Sequence, residues 1–195
     1  VIAGMLLGAR NLSAAIRFVA GLEGDAESLH KQVEAGKKAF VGHELPGRTL
    51  GVVGLGAIGS MVADAAIRLG MQVLGFDPDI TVDAAWSLPA QVKRAASVAE
   101  VLKHANFVSL HVPLVAATKH LIHADNLGTM KAGAVLLNFS REGVVDDAAV
   151  LASLARKHLG MYVCDFPNAA LHGHDRVLAL PHLGASTSEA EENCA

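Results

Sequence analysis

Four side chains able to do polar chemistry stand at the ends of apolar runs. His111 closes NFVSLH, Arg141 follows AVLLNFS, Asp165 follows MYVC, and His182 follows VLALP. A histidine passes a proton near neutral pH, and an arginine grips a carboxylate with two parallel N–H bonds where lysine offers only a point charge. Taken singly each has a plain structural reading: a capped core histidine, a solvated loop charge, a turn former, a loop residue. Together, each at the end of a run that reads as a strand, they mark one rim of a sheet as a candidate site for small-molecule chemistry.

A second signal lies upstream, in Gly54-Leu55-Gly56-Ala57-Ile58-Gly59. It follows an apolar run and opens an alanine-rich segment, the strand-to-helix context that a GxGxxG pattern requires. Gly54 permits the tight turn, Gly56 lets backbone approach a pyrophosphate, and Gly59 allows close packing of helix on strand. The amides at the helix start, with their partial positive charge, then face the phosphates. Asp77 ends the next apolar run, about where an acid must lie to hold the ribose hydroxyls. An acid there repels a 2′-phosphate, and Pro78 and Asp79 follow rather than an arginine. The expected cofactor is therefore NAD rather than NADP.

The elements that would position these groups follow from the hydrophobic pattern. Continuous apolar runs predict strands at 50–53, 72–76, 106–111, 134–139, 161–164 and 177–180, with helices at 57–69, 97–104, 146–158 and from 189 onward, and a looser segment at 125–130. Strands with no polar face belong to a parallel sheet covered on both sides. The expected fold class is thus α/β, a doubly wound parallel sheet of Rossmann type. Residues 79–93, with Pro89 inside, read as an irregular connection. Ahead of the sheet, apolar spacing predicts one amphipathic helix over 1–22 and a second over 26–39, a helical lead-in that ends at the Pro46-Gly47 turn.

Composition limits the alternatives. The chain has 195 residues, 52% of them apolar, with 19 acidic against 16 basic residues and a net charge of −3. No block of like charge marks a nucleic-acid surface. No uncharged stretch reaches the roughly 20 residues of a membrane helix. Cys164 and Cys194 are too few to staple a domain, which fits a reducing, cytoplasmic setting. Cys164 reads as core packing. His172 and His174 share a loop without further ligands, so no metal is expected. The chain starts at Val1 rather than Met and reads as a fragment or a processed chain.

Four runs, TLGVVGLGAIG (49–59), VSLHVP (108–113), LNFSREGVVD (137–146) and PHLGAST (181–187), resemble the nucleotide-binding domain of the D-isomer-specific 2-hydroxyacid dehydrogenases. Within that family the likeness is greatest to the branch that oxidises 3-phospho-D-glycerate for serine biosynthesis. The resemblance implies that Arg141 binds the substrate carboxylate and His182 is the acid/base. It implies cofactor contacts from Gly54, Gly56, Ala57, Ile58, Gly59, Asp77, His111, Val112, Pro113, Phe139, Ser140, Arg141, His182, Gly184 and Ala185, with Asp165 at the nicotinamide carboxamide. It also implies that residues 1–45 form an interdomain or dimerisation segment, that 46–188 bind NAD, and that 189–195 begin a return helix. The substrate domain would be largely absent from this chain, which alone would bind NAD and turn over poorly. A homodimer or higher homo-oligomer is expected.

Two departures from the family pattern stand out. Members carry a glutamate a few residues beyond the Asp165 position, paired with the catalytic histidine; here the run is Asp165-Phe166-Pro167-Asn168-Ala169-Ala170. The third catalytic member is missing, and Asn168 is the neutral residue placed to fix the imidazole tautomer in its stead. Glu142 stands where glycine is common. The missing carboxylate favours one alternative, a non-catalytic, NAD-responsive interaction protein on the same fold.

Overall fold

A computed structural model describes residues 1–194. Seven strands, β1 (Thr49–Val53), β2 (Gln72–Phe76), β3 (Val92–Arg94), β4 (Phe107–Leu110), β5 (Ala134–Asn138), β6 (Leu159–Cys164) and β7 (Val177–Ala179), form one sheet in the order β3-β2-β1-β4-β5-β6-β7. Every pairing is parallel. The order reverses between β1 and β4, the switch point at which open α/β sheets bind ligands beyond their carboxyl ends.

Helices cover both faces because successive strand residues point to opposite sides. Leu50 and Val52 of β1, Val135 and Leu137 of β5 and Val163 of β6 pack with Met5 and Ala9 of α1 (Ile2–Arg10) and Val62, Ala63 and Ala66 of α4 (Ala57–Arg68). On the other face Val108, Leu110, Leu136, Tyr162 and Cys164 meet α6 (Val98–His104), α7 (Ala124–Leu127) and α8 (Asp147–Ala155). Each fully buried Leu or Phe in these layers stabilises the fold by about 1.5–3 kcal/mol. α9 (Ser188–Cys194) closes the described chain.

The lead-in departs from the single helix expected over 1–22. α1 stops at Arg10, and α2 (Leu12–Ala20) restarts after Asn11, at a bend of 64°. Asn11 sits in the left-handed region (φ 52°, ψ 31°), which a short polar side chain tolerates, and its Nδ2 donates to the Val41 carbonyl at 3.0 Å. Apolar spacing runs through the break because both halves keep an apolar face. The second expected helix is α3 (Ala26–Gly36), capped by Asp25 and followed by a 3-10 turn at Lys37–Phe40. Residues 79–93 are more regular than expected: α5 (Val82–Ser87), capped by Thr81, precedes the edge strand β3. β3 reads Val-Lys-Arg, and two charges in three residues conceal a strand whose role is to finish an edge.

Candidate active site

Register brings the site together. Along the carboxyl edge Val53 pairs with Phe76 and Leu110, Leu110 with Asn138, Asn138 with Cys164, and Cys164 with Ala179. The residues that follow this aligned row are Gly54, Asp77, His111, Phe139, Asp165 and Leu180. Every group singled out at the strand ends therefore emerges on one rim, with Arg141 and His182 two residues further along their loops.

On the β1 side the loop is built by backbone. Gly54 has φ 91°, and its Cα faces the His111 carbonyl so closely that a Cβ would strike it. A Cβ on Gly59 would strike the Gly54 carbonyl oxygen. Gly56 is different: a Cβ there would meet nothing within 4 Å, so the space above it is open. Gly56 caps α4 without a side-chain bond, and Ala57 and Ile58 are exposed at the helix start. Asp77 holds the loop from the neighbouring strand: Oδ2 accepts from the Leu55 amide at 2.8 Å and Oδ1 from the Asp79 amide at 2.9 Å. A carboxylate oxygen has two lone pairs, so both can accept a further hydroxyl.

His111, half-buried at the end of β4, shares a 2.9 Å hydrogen bond between Nε2 and the hydroxyl of the fully buried Ser109. Burial lowers the imidazole pKa to about 4, so the ring is neutral at physiological pH. Val112 is half-buried and Pro113 exposed on the same loop.

Beyond β5 the turn at Phe139-Ser140-Arg141 is organised by a residue that the sequence reading passed over. Asn138 is 2% exposed; its Oδ1 accepts from the Ser140 amide (3.2 Å) and hydroxyl (2.8 Å), and its Nδ2 donates to the Arg141 carbonyl (3.1 Å). A polar residue inside an otherwise apolar strand was the available signal. α1 supports the turn from the other side, where Gly4 makes room for the Phe139 ring; a Cβ there would lie 2.7 Å from Cζ. The Arg141 guanidinium is exposed and donates only to the Ser140 carbonyl, at 2.7 Å, among the described residues. Glu142 beside it is also exposed.

Asp165 and His182 meet across the β6 and β7 ends. His182 Nδ1 lies 3.3 Å from Asp165 Oδ2, with the imidazole 57% and the carboxylate 7% exposed. Phe166 packs on the imidazole, ring centroids 5.2 Å apart at 54°. Among the described residues Asp165 Oδ1, which is buried, has no hydrogen-bond partner. Asn168 is not the imidazole's partner. Its Nδ2 donates to Asp147 Oδ2 at 2.7 Å, and its Oδ1 takes the Ala170 and Leu171 amides. That turn is closed before it reaches His182. Gly184 and Ala185 are exposed on the following loop. Elsewhere His174 Nδ1 accepts from the Arg176 amide at 3.1 Å, a turn-forming role, and Cys164 is fully buried with its thiol pKa pushed up by burial.

The open cradle at Gly56, the α4 amides free of a side-chain cap, the Asp77 carboxylate and the orphaned Asp165 oxygen suit a dinucleotide with phosphates, a ribose and an amide group. Comparison with known proteins agrees. A sequence profile for the NAD binding domain of D-isomer specific 2-hydroxyacid dehydrogenases matches residues 5–184. The chain belongs to this family.

Among curated relatives of the 2-hydroxyacid dehydrogenase domain, the (S)-sulfolactate dehydrogenase of Chromohalobacter salexigens is 42% identical over 164 residues, 80% of this chain and 52% of its own. The D-3-phosphoglycerate dehydrogenase of Bacillus subtilis is 39% identical over 171 residues, 85% of this chain and 32% of its own. The crystal structure of D-lactate dehydrogenase from Aquifex aeolicus complexed with NAD and lactic acid superposes with a TM-score of 0.78 at 26% identity, over 98% of this chain and 60% of that one. The chain thus spans about half or less of the curated relatives it matches. Its cofactor is NAD.

Proposed function

We propose that this domain is the cofactor-binding half of an NAD-dependent oxidoreductase acting on a D-2-hydroxy acid that carries a second anionic group, with 3-phospho-D-glycerate as the first candidate. The observation that carries the reading is the single rim on which the glycine loop, Asp77, Arg141 and the Asp165–His182 pair emerge from one aligned row of strand ends. NAD, when bound, supplies the hydride acceptor. Gly56, Ala57 and Ile58 would hold its phosphates and Asp77 its ribose.

Arg141 fixes the substrate carboxylate with its planar fork. With Nδ1 turned toward Asp165, His182 presents Nε2 outward, where it takes the proton of the substrate hydroxyl during oxidation and returns it in reduction. Holding acid, base and reacting carbon in fixed geometry accounts for much of the rate gain such a site can reach. The substrate lies between this domain and the remainder of a longer protein, so this chain alone binds NAD and turns over poorly.

The non-catalytic alternative rests on the missing glutamate; the approach of Asp165 Oδ2 to His182 Nδ1 supports the catalytic reading instead. Sulfolactate is the competing substrate, favoured by the 42% identity to the enzyme of Chromohalobacter salexigens. The test is twofold. Titration calorimetry of this chain with NAD yields a binding isotherm. With the full-length protein, reduced-nicotinamide absorbance rises with NAD and 3-phospho-D-glycerate, with kcat/KM at least about tenfold above that for sulfolactate or D-lactate. Faster turnover of sulfolactate reassigns the substrate, and no turnover of any D-2-hydroxy acid overturns the reaction.

A further inference from the structure

Two loops share the work of holding a 2-hydroxy acid, and they leave the sheet from neighbouring strands. Asn138 at the end of β5 pairs with Cys164 at the end of β6, so the ladder fixes the roots of both. One loop then carries Arg141 and runs into α8, while the other carries Asp165 and Phe166, the two groups that hold His182. Among the described residues a single side-chain hydrogen bond joins residues 139–147 to residues 165–182: Asn168 Nδ2 donates to Asp147 Oδ2 at 2.7 Å, and both residues are half-buried. Each end of this bond is anchored. On the Arg141 side Val144 and Val145 are buried, and Asp146 Oδ1 accepts from the Ala148 and Ala149 amides at the start of α8. On the other side Asn168 Oδ1 takes the Ala170 and Leu171 amides, and Leu171 is buried. Burial raises the Asp147 pKa, and the bond from Asn168 is the largest influence opposing that shift.

We propose that the Asp147–Asn168 bond is a strut that sets the separation of Arg141 from His182, which makes Asp147 and Asn168 positioning residues for the reaction. This rests on the reading of the rim as a 2-hydroxyacid site. In such an acid the carboxylate carbon and the hydroxyl-bearing carbon are bonded directly. The fork that grips one group and the imidazole that takes the proton of the other must therefore stand at one fixed distance. The strand ladder alone does not set it, because Arg141 lies three residues past Asn138 and Phe166 two past Cys164. The strut shortens both paths. Only Pro167 separates Asn168 from Phe166, whose ring packs on the imidazole, and the buried Val144 and Val145 stiffen the run from Arg141 to Asp147. Asn168 does not reach His182, yet it acts on it through Phe166 and Asp165. A misplacement of about 1 Å between reacting groups can cost roughly a hundredfold in rate, so one such tie is enough to matter.

The experiment exchanges the two partners. Asn168→Asp keeps an oxygen for the Ala170 and Leu171 amides but sets two carboxylates against each other, so the turn stays and the strut is lost. In the double variant Asp147→Asn/Asn168→Asp, donor and acceptor change sides and the bond returns. The assay uses the full-length protein with NAD and 3-phospho-D-glycerate, or sulfolactate where that is the faster substrate. Asn168→Asp lowers kcat about tenfold, the worth of one charge-assisted hydrogen bond, while calorimetry finds NAD affinity within about threefold of the parent. The double variant recovers kcat to within about threefold of the parent, a rescue that independent sites do not show. Proton–nitrogen NMR of the labelled chain gives a readout besides activity: Asn168→Asp moves the Arg141 Nε–H signal and the amides of 140–144, and the double variant moves them back. An undiminished kcat in Asn168→Asp, a double variant no better than the single one, or NMR changes confined to residues 165–171 each overturn this inference alone. A parent that turns over no 2-hydroxy acid overturns the proposed function, and the inference with it.

Discussion

The two ends of the rim are held by different means. On the β1–β2 side backbone meets backbone: Gly54 against the His111 carbonyl, Gly59 against the Gly54 carbonyl, and Asp77 bridging two amides. On the β5–β7 side the groups for chemistry are exposed side chains, Arg141 on a turn and His182 on a loop, steadied by the buried Asn138 and Asp165. The first side is complete in its shape and needs only a ligand. The second presents charge outward and needs both ligand and a covering surface. A binding site can be finished within one domain, whereas a catalytic cleft that excludes water requires walls on both sides.

Breaking the backbone-built side has the largest effect. Gly59→Val drives a branched side chain into the Gly54 carbonyl; it costs about 3 kcal/mol or more of stability, read by urea denaturation, and removes NAD binding in calorimetry. Unchanged stability and affinity would mean that the loop yields easily and the contrast is false. On the other side, Arg141→Lys in the full-length enzyme keeps the charge and loses the fork. It lowers kcat/KM about a hundredfold in a steady-state assay, the loss expected when a planar fork on the substrate carboxylate becomes a point charge.

The hinge between the two sides is His111, and its titration gives a third measure. Its folded pKa, about 4, lies below the ordinary histidine value of 6.5 because burial disfavours the charged form. The stability this neutral imidazole contributes is complete above pH ~6.5 and is lost as pH falls toward 4, by up to about 3 kcal/mol before allowance for its partial exposure. His111→Gln flattens that slope in urea midpoints taken across the range. A slope that survives the substitution places the acid sensitivity elsewhere. The smallest effect is at Asp77: Asp77→Asn weakens NAD about tenfold by calorimetry while the fold stays cooperative, since Leu55 keeps an oxygen to bond.

Most of this arrangement was legible in the sequence because buried parallel strands are written as unbroken apolar runs, and the runs ending at Asp77, His111 and Asp165 close in a polar residue at the same edge. Gly54 to Gly59 and Asp77 were readable for the same reason, their spacing being a consequence of one strand, one helix and the next strand. β3 escaped because Lys93 and Arg94 serve an edge rather than a core. The break at Asn11 escaped because helical periodicity does not register one left-handed residue. The partnership of Asp165 with His182 depends on how two loops cross, which no local pattern encodes, and the turn made by Asn168 had to be seen closed before it could be set aside.

The double grip of Asp77 bears on any attempt to re-engineer coenzyme preference. Swapping that acid for a basic residue, or for one without a side-chain oxygen, the obvious step toward admitting a phosphorylated ribose, would also unhook Leu55 and Asp79 from their anchor. A redesign toward NADP must therefore supply a new tether for the glycine loop in the same stroke as the new charge, and a library varying position 77 alone will return weakened NAD binders before it returns a switched enzyme.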